Sequence, residues 1–480
     1  MSKSDRPNIL FILTDDQRYD TIHALGNDEI STPNMDELVR EGTTFTHATI
    51  MGGTAPAVCM PSRGMIMTGR YLFHLDGRGH EIPPSQKTLP ETLGEAGYHC
   101  HHVGKWHQDR ASFNRGFHSA ARIFGFADGG YNAYGGHWNV PLHDYDPTGE
   151  YSPEDAYILA ADKETHLPVK AGVGGVHSNE LFVDSAIDFL NSYQTGDAPL
   201  AGRNEPFFMY LSFVAPHDPR QAPNEFEEQY SSERVRLPDN FMPKHPFDNG
   251  ELTIRDEALE AWPRRPHSIR RHIADYYSLI SHTDDQIGRV IEHLKATGEY
   301  ENTIIVLAGD NGLAVGQHGL MGKQNLYEHS IRVPLIISGP GIPHGVQTDS
   351  LCYLLDIFPT LCDCLRIQTP DSVDGTSLLP AIRNPDTSLR TSHYYGYCQY
   401  QRAVRDSRYK LIEYAVDSTR NTQLFDLDND PWETHNLAEK GAYEGKIAKL
   451  RTQLRDWRSK SGDIRPEEQS FWDVIEREQT

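Results

Sequence analysis

Short apolar runs recur along the chain, separated by segments with helical spacing. Runs of this kind are typical of strands that are buried on both faces of a parallel sheet. The predicted strands are Asn8–Thr14, Tyr98–Val103, Pro206–Val214, Thr303–Ala308 and Val333–Ser338. Helices are predicted to begin at Thr32-Pro33 and at Thr88, and to cover Ser178–Tyr193 and His272–Thr297. Alternating strands and helices indicate an α/β doubly wound fold.

The pattern changes after about residue 366. Asp406–Tyr414 alternates like a half-exposed strand, Gln423–Leu427 resembles another strand, and Gly445–Ser461 is a basic amphipathic helix. The chain has 480 residues, which is long for one domain. We therefore predict a large domain over 1–368 and a smaller α+β subdomain over 369–480.

Polar side chains follow four of the predicted strands at their carboxyl ends. In open α/β sheets, ligands bind beyond those ends. Four such placements predict one site assembled from distant parts of the sequence. Its candidate residues are Asp15, Asp16, Lys105, His107, His217, Asp218, Asp310 and Asn311.

Charge narrows the choice of partners. The chain has 45 Lys and Arg against 68 Asp and Glu, a formal net charge of −23. Such a surface repels nucleic acid and anionic membranes, so neither is expected as a partner. The apolar run Ile9–Leu13 is too short for a signal sequence, and no stretch has the length of a membrane span. We expect a cytoplasmic protein as the chain is written, or a periplasmic or secreted one if a signal was removed.

The run Cys59-Met60-Pro61-Ser62-Arg63 contains the candidate nucleophile. Pro61 favours the first turn of a helix that would continue to about Thr68. Cys59 would then lie at a helix N-terminus, where the dipole lowers the pKa of a thiol or stabilises an anion.

Together with Thr68-Gly69-Arg70, this run resembles the signature of the type I sulfatases. The resemblance implies that a separate maturation enzyme oxidises Cys59 to formylglycine. It also implies that the hydrated aldehyde, a geminal diol, attacks the sulfur of a sulfate ester, and that Arg63 orients this diol. The implied fold is an alkaline-phosphatase-like α/β core with a C-terminal subdomain.

The pairs Asp15-Asp16 and Asp310-Asn311 predict a metal site. Three carboxylates and one amide oxygen form an all-oxygen set that suits Ca²⁺ or Mg²⁺. The resemblance implies that the ion is bound by these side chains and by the residue at position 59, with Ca²⁺ expected and Mg²⁺ as the alternative. The predicted ligands are Asp15, Asp16, Asp310, Asn311 and Cys59.

Three further motifs match the family. In Gly104-Lys105-Trp106-His107, the resemblance implies that Lys105 binds a sulfate or diol oxygen and that His107 takes a proton from the diol. Histidine suits this step because its pKa lies near working pH. In Ala215-Pro216-His217-Asp218-Pro219 and Gly322-Lys323-Gln324, His217 and Lys323 would flank the leaving oxygen, and one of them would act as general acid.

The substrate is less constrained than the reaction. We expect an exo-acting carbohydrate sulfatase, acting on galactose-type residues of a marine or mucosal glycan, with aryl sulfate or choline sulfate as alternative substrates. Sugar pockets are rich in polar groups that bind hydroxyls. The predicted substrate-binding residues are His137, Trp138, His143, Asp144, Asp218, Arg220, His318, Gln324, Asn325 and Arg402, with Gln401 at the rim. His318 could equally contact sulfate, contact the sugar or only shape its loop.

Two other functions remain open from the sequence. Phosphonate and phosphodiester hydrolases of the same superfamily also use formylglycine, but the Asp-Asp and Asp-Asn pairs found here favour a sulfatase. A non-catalytic glycan-binding homologue would need a damaged site, and every motif position is intact. The oligomeric state is left open.

Overall fold

The computed structural model describes residues 6–127, 135–169, 175–196 and 205–477. Within these ranges the strands are β1 Asn8–Thr14, β2 Gly42–Phe45, β3 Ala48–Thr49, β4 Gly52–Gly53, β5 His99–Lys105, β6 Ser119–Phe124, β7 Tyr157–Leu159, β8 His166–Pro168, β9 Phe207–Ser212, β10 Thr303–Gly309, β11 Leu335–Ser338, β12 Val346–Thr348, β13 Cys352–Tyr353, β14 His393–Tyr397, β15 Gln401–Arg405, β16 Tyr409–Val416 and β17 Thr419–Asp426. The α-helices are α1 Pro33–Glu41, α2 Cys59–Thr68, α3 Leu89–Glu95, α4 Arg110–Gly116, α5 Ser178–Thr195, α6 Asn224–Glu227, α7 Pro266–Thr297, α8 Glu328–Ile331, α9 Ile357–Leu365, α10 Leu379–Arg383, α11 Glu444–Lys460 and α12 Gln469–Arg477.

The largest sheet has the strand order β12-β2-β11-β10-β1-β9-β5-β6. Strands β10, β1, β9, β5 and β6 are parallel. Strand β1 shows why these runs are apolar throughout: Phe11 faces one hydrophobic core and Ile12 faces the other. The α/β fold with a mainly parallel sheet is thereby confirmed.

One predicted strand is reversed. We expected Val333–Ser338 to join the parallel sheet, but β11 covers Leu335–Ser338 and pairs antiparallel with β10. A parallel neighbour needs a crossover to the opposite edge of the sheet. Residues 310–334 instead remain at the carboxyl edge, so the chain re-enters the sheet in the opposite direction.

Helices cover both faces of the sheet. Residues of α1, α5 and α7 pack against one face, whereas α2 and α9 contribute to the core on the other face. Helix α7 begins at Pro266, six residues before the predicted start at His272. Proline at the first helical position is favourable because its fixed φ suits the helix and no intrahelical N–H is needed there.

A second sheet has the order β17-β16-β15-β14-β4. Strands β14 to β17 are antiparallel neighbours. Helix α11, Glu444–Lys460, is the predicted helix Gly445–Ser461 with bounds shifted by one residue. The edge strand of this second sheet is β4, Gly52–Gly53, which precedes Cys59 closely in the chain. The C-terminal sheet is therefore joined by main-chain hydrogen bonds to the segment that leads into α2. The division at residue 368 stays a prediction.

Among the helices within the described ranges, none has the length and apolar character needed to span a bilayer.

We expect Gly104→Ala to destabilise the fold strongly. Gly104 has φ +97° at a register shift between β5 and β6, and an added Cβ would overlap the carbonyl oxygen of Ser212. Gly298 provides the matched control, because it has φ +74° but open space around the added Cβ. Gly298→Ala should cost about 1 kcal/mol, the strain of a left-handed alanine alone. Urea unfolding of both variants checks this prediction, and equal losses would contradict it.

Candidate active site

Adjacent strands bring the predicted polar residues to one place. Asp15 and Asp16 follow β1, and Asp310 and Asn311 follow its neighbour β10. The main-chain N–H of Asp310 donates to Thr14 O at 2.9 Å, and the N–H of Asp16 donates to Asp310 Oδ1 at 3.0 Å. Because the two strands are in register, both acidic pairs leave the sheet at the same level.

Cys59 is the first residue of α2 and is buried within this group. Its Sγ lies 3.4 Å from His107 Nδ1, 3.6 Å from Lys105 Nζ and 3.8 Å from Lys323 Nζ. Burial raises the pKa of the Cys59 thiol to about 11 even though Lys105 and Lys323 lower it. The net pKa of the unmodified thiol is thus raised because burial dominates, and the effect of the helix N-terminus on an anion at this position stays a prediction. A raised pKa disfavours the thiolate form of Cys59.

Arg63 lies one helical turn after Cys59 and is fully buried. Its guanidinium donates from Nε to Asp310 Oδ2 at 2.8 Å and from Nη1 to Lys105 O at 3.0 Å and Ser212 Oγ at 2.5 Å. Its Nη2 lies 3.3 Å from Asp15 Oδ2. These contacts place Arg63 against the carboxylates, which it holds in position.

The carboxylates crowd a buried space. Burial would raise the pKa of Asp15, but the cations Lys105 and Arg63 outweigh it and hold that pKa well below its usual range. Burial and the charge of Asp15 raise the pKa of Asp310 to about 6, against the effect of Arg63. The site therefore combines repelling carboxylates with several buried cations.

Two oxygens in this space lack hydrogen bonds. Asp15 Oδ1 and Asn311 Oδ1 are buried and accept none from the described residues. A buried oxygen without a partner is costly, so natural proteins rarely leave one. Carboxylate and amide oxygens are the ligands that hard divalent cations prefer. The predicted ligands Asp15, Asp16, Asp310 and Asn311 therefore fit such an ion by both chemistry and burial.

Three basic side chains complete the group. Burial, Lys105 and Arg63 lower the pKa of His107 well below its ordinary value. Lys323 Nζ donates to Asp16 Oδ1 at 2.6 Å, and Asp16 with Cys59 keeps the pKa of Lys323 well above its ordinary value despite burial. His217 Nε2 lies 3.8 Å from Asp16 Oδ2. All the predicted catalytic residues thus surround Cys59 and the acidic pairs.

Of the predicted substrate-binding residues, Asp218 and Gln324 lie beside the basic groups. Asp218 follows His217 and forms an ion pair with Arg255. Gln324 Nε2 donates to Asp256 Oδ2 at 2.7 Å and to Pro56 O at 2.9 Å. His137 is near but lies behind His217, with one ring nitrogen 2.9 Å from His217 O and the other 3.0 Å from Ser178 Oγ. Its contacts support the His217 loop.

Three further predicted substrate residues, Trp138, His143 and Asp144, pack on or pair with neighbouring side chains. The ring of Trp138 packs on His177, and that of His143 packs on Phe126 and Tyr151. Asp144 accepts from Tyr157 at 2.6 Å. Each side chain thus has a packing or pairing partner in the fold.

Four more residues also have structural partners. Arg220 lies over the Tyr276 ring, and His318 stacks on Tyr327 with ring centroids 3.9 Å apart. Asn325 donates to Gly322 O at 3.2 Å. Arg402 is fully buried between Asp463 and Glu468, so its charge is already neutralised. His318 and Arg402 are thus engaged by other partners, whereas Arg220 helps to lower the pKa of Asp218 and keeps its buried Nε and Nη2 without a hydrogen-bond partner among the described residues. Gln401 donates to Asn249 O and to the carbonyl oxygen of Gln324, the residue before Asn325.

The sequence motifs missed four residues near the site. Ser62 Oγ donates to Asp310 O at 2.5 Å, and Ser212 accepts from Arg63. Arg255 and Asp256 reach the site from a segment of turns between residues 243 and 265. Ser62 and Ser212 could have been found from their position in the signature and at the end of a strand. No periodicity or motif marks Arg255 or Asp256.

Known proteins match most of this chain. The C-terminal model of N-sulphoglucosamine sulphohydrolase matches residues 316–460. An arylsulfatase of Clostridium perfringens is 30% identical, with 93% of each chain covered. An N-acetylglucosamine-6-O-sulfatase of Bacteroides thetaiotaomicron is 25% identical over 97% of this chain and 88% of its own.

Solved structures share the fold. A protein in complex with its substrate D-glucosamine-2-N,6-O-disulfate has a TM-score of 0.75 at 24% identity, covering 96% of this chain and 99% of its own. A phosphonate monoester hydrolase of Agrobacterium radiobacter has a TM-score of 0.72 at 22% identity, with coverage of 95% and 96%. These likenesses establish the alkaline-phosphatase-like fold. They do not distinguish hydrolysis of sulfate esters from hydrolysis of phosphonate monoesters. The sulfatase family model matches residues 7–367, and the chain therefore belongs to the sulfatase family of sulfate ester hydrolases.

Proposed function

We propose that this sulfatase removes sulfate from a sulfated carbohydrate by exo action. Its nucleophile is made from Cys59, and a bound divalent ion, for which Ca²⁺ is the first candidate and Mg²⁺ the second, assists the reaction. The observation that carries the proposal is the surrounding of Cys59 Sγ. His107, Lys105 and Lys323 all lie within 3.8 Å of it. The oxygens of Asp15 and Asn311 that lack hydrogen bonds lie in the same buried group of residues.

Maturation and the ion supply what the side chains lack. Oxidation of Cys59 to formylglycine, followed by hydration, supplies a hydroxyl nucleophile, and a bound divalent ion supplies positive charge for the sulfate oxygens. Asp15, Asp16, Asp310 and Asn311 would hold this ion. The high pKa of the Cys59 thiol supports the proposal, because the unmodified residue is a poor nucleophile at neutral pH.

The basic side chains then have distinct tasks. Lys105 and Lys323 bind sulfate oxygens through their charges. His107 would take the proton of the diol's second hydroxyl during the later release of sulfate, and its lowered pKa keeps the ring neutral and able to accept. As the bond from sulfur to the leaving oxygen breaks, that oxygen takes a proton from His217 or Lys323.

A carbohydrate substrate is supported by the relatives and by polar side chains next to His217 and Lys323. The N-acetylglucosamine-6-O-sulfatase and the protein bound to glucosamine disulfate both act on sulfated amino sugars. Asp218, Arg255, Asp256 and Gln324 provide hydroxyl-binding groups next to His217 and Lys323. Aryl and choline sulfates would use few of these groups.

Replacement of the nucleophile gives the first activity test. Enzyme produced with a formylglycine-generating enzyme should hydrolyse 4-nitrophenyl sulfate, and Cys59→Ala should lower kcat by about a thousandfold or more. Cys364→Ala is the control, since Cys364 is a half-buried thiol in α9. Mass spectrometry of the peptide with residue 59 establishes conversion.

The same converted enzyme tests whether the protein is a sulfatase or a phosphonate or phosphodiester hydrolase. We expect kcat/KM to be higher for 4-nitrophenyl sulfate than for bis(4-nitrophenyl) phosphate or an aryl phosphonate. A clear preference for either phosphorus ester would overturn the sulfatase reaction. Equal activity of the Cys59→Ala variant would overturn the role of residue 59.

Metal binding should be visible without any substrate. Ca²⁺ at about a hundredfold excess over its Kd should stabilise the protein by about 3 kcal/mol, because it binds the folded state and relieves repulsion between the carboxylates. The chelator-treated protein should therefore show a rise in Tm on addition of Ca²⁺, and a smaller one with Mg²⁺.

The control separates this site from nonspecific binding. Asp310→Asn should abolish most of the rise in Tm, whereas Asp188→Asn, an exposed residue of α5, should keep it. An unchanged rise in the Asp310→Asn protein would exclude the proposed ligand set. A larger rise in Tm with Mg²⁺ than with Ca²⁺ would identify Mg²⁺ as the preferred ion.

A further inference from the structure

The turn at Asp16 sets the geometry of the acidic pair that follows β1. Consecutive side chains of a strand point to opposite faces of the sheet. Yet an oxygen of Asp15 and an oxygen of Asp16 lie within 4.8 Å of each other and of a ring nitrogen of His217. The backbone of Asp16 explains this, because its φ of +64° ends the alternation of the strand. The pair thus depends on a left-handed conformation that residues other than glycine rarely adopt.

The hydroxyl of Tyr276 holds this turn. It donates to Asp16 O at 2.6 Å and accepts from the N–H of Arg18 at 2.9 Å. Neither main-chain group has another hydrogen-bond partner among the described residues. Both residues are buried, and a buried main-chain group without a partner is costly. One phenol group therefore satisfies the main chain on both sides of Gln17 and closes the turn.

Tyr276 is itself firmly placed. It is fully buried in α7 and packs in a hydrophobic cluster with Leu313 and Val315, which lie in the segment after β10. The guanidinium carbons of Arg18 and Arg220 lie over its ring, 5.4 and 5.5 Å from the ring centre. A cation over a tyrosine ring is attracted to it. The side chain therefore links α7 to the segments that follow β1, β9 and β10.

The carboxylate of Asp16 shows what the turn positions. Its Oδ1 accepts from Lys323 Nζ and from Asn311 Nδ2, each at 2.6 Å. Because the amide nitrogen of Asn311 is used in this way, its Oδ1 is the atom left without a hydrogen bond. A displaced turn would move the Asp16 carboxylate and release the Asn311 amide. Two of the four predicted metal ligands therefore depend on the conformation of Asp16.

We infer that Tyr276 is a positioning residue for the divalent ion and acts through Asp16. Its hydroxyl keeps the turn in place before the ion binds, so the ligands need little rearrangement on binding. Ligands that are already ordered bind more tightly, because less conformational freedom is lost. The inference rests on the ligand set of the proposed function and adds to it a residue that lies outside every sequence motif.

Tyr276→Phe tests this role, because it removes the hydroxyl and keeps the ring. The converted enzyme is treated with chelator and titrated calorimetrically with Ca²⁺, or with Mg²⁺ if that ion gives the larger rise in Tm. No substrate is present. Loss of a group that orients a metal ligand typically weakens metal binding about 10- to 100-fold. We therefore expect the Kd of the variant to exceed that of the parent by about tenfold or more.

Tyr277→Phe is the matched control. Tyr277 is the next residue of α7 and is also buried, but its hydroxyl accepts from Asn27 Nδ2 at 3.2 Å. Its loss should leave the Kd as in the parent. Urea unfolding of the metal-free proteins is measured alongside. A merely structural role would lower the stability of Tyr276→Phe and leave its Kd unchanged, whereas a positioning role raises the Kd.

Hydrogen exchange of the metal-free parent is a second measurement that needs no variant, so it decides even if Tyr276→Phe fails to fold. The amide of Arg18 should exchange slowly without the ion, because Tyr276 already binds it. Fast exchange of this amide, an unchanged Kd in Tyr276→Phe, or an equal increase in Tyr277→Phe would overturn the inference. A parent that binds neither ion would instead overturn the metal site of the proposed function, and the inference with it.

Discussion

The crowding of carboxylates beneath Cys59 is the constraint on which the site depends. Asp15 and Asp310 are buried side by side, where repulsion between them is strong because the surroundings are poorly polarisable. Arg63 bridges the two, and it comes from the same helix as Cys59. The ion pair therefore fixes α2, the acidic strand ends and the residue at position 59 relative to one another.

Strand order makes this crowding possible. Strands β10, β1, β9 and β5 are neighbours and parallel, so their carboxyl ends deliver acidic, amide and basic groups to one edge. Ser212 at the end of β9 binds Arg63, and Lys105 at the end of β5 pairs with Asp15. A single sheet edge thus supplies the repelling charges and, in Lys105, one of the cations that compensate them.

The C-terminal sheet has a part in the same arrangement. Gln401 donates to Gln324 O, and Tyr327 donates to Gln423 Oε1 at 2.7 Å. The N–H of Glu328 donates to Glu433 Oε2 at 2.8 Å. These contacts hold the segment that follows Lys323. The smaller sheet therefore stabilises a loop of the active site, although the described part of it places no side chain against Cys59.

The sequence by itself determined the strands around the site and the residues at their ends. Runs such as Asn8–Thr14 are legible because burial on both faces demands apolar residues, and the polar residues after them stand out. It also identified Cys59, Arg63, Lys105 and Lys323 through local motifs. Of these, Lys105 lies at the end of β5, Cys59 and Arg63 lie on α2, and Lys323 lies in the segment that follows β10.

Only the tertiary structure decided what lies opposite those groups. Arg402 and His318 are residue types that often bind sugars. In the fold, however, Arg402 is buried against Asp463 and His318 is stacked on Tyr327. Arg255 and Asp256 have no local pattern, and they gain their place through pairing with Asp218 and Gln324. The direction of β11 and the raised pKa of Cys59 likewise follow from packing between distant segments. Burial and pairing are properties of the assembled fold, so no local sequence pattern can encode them.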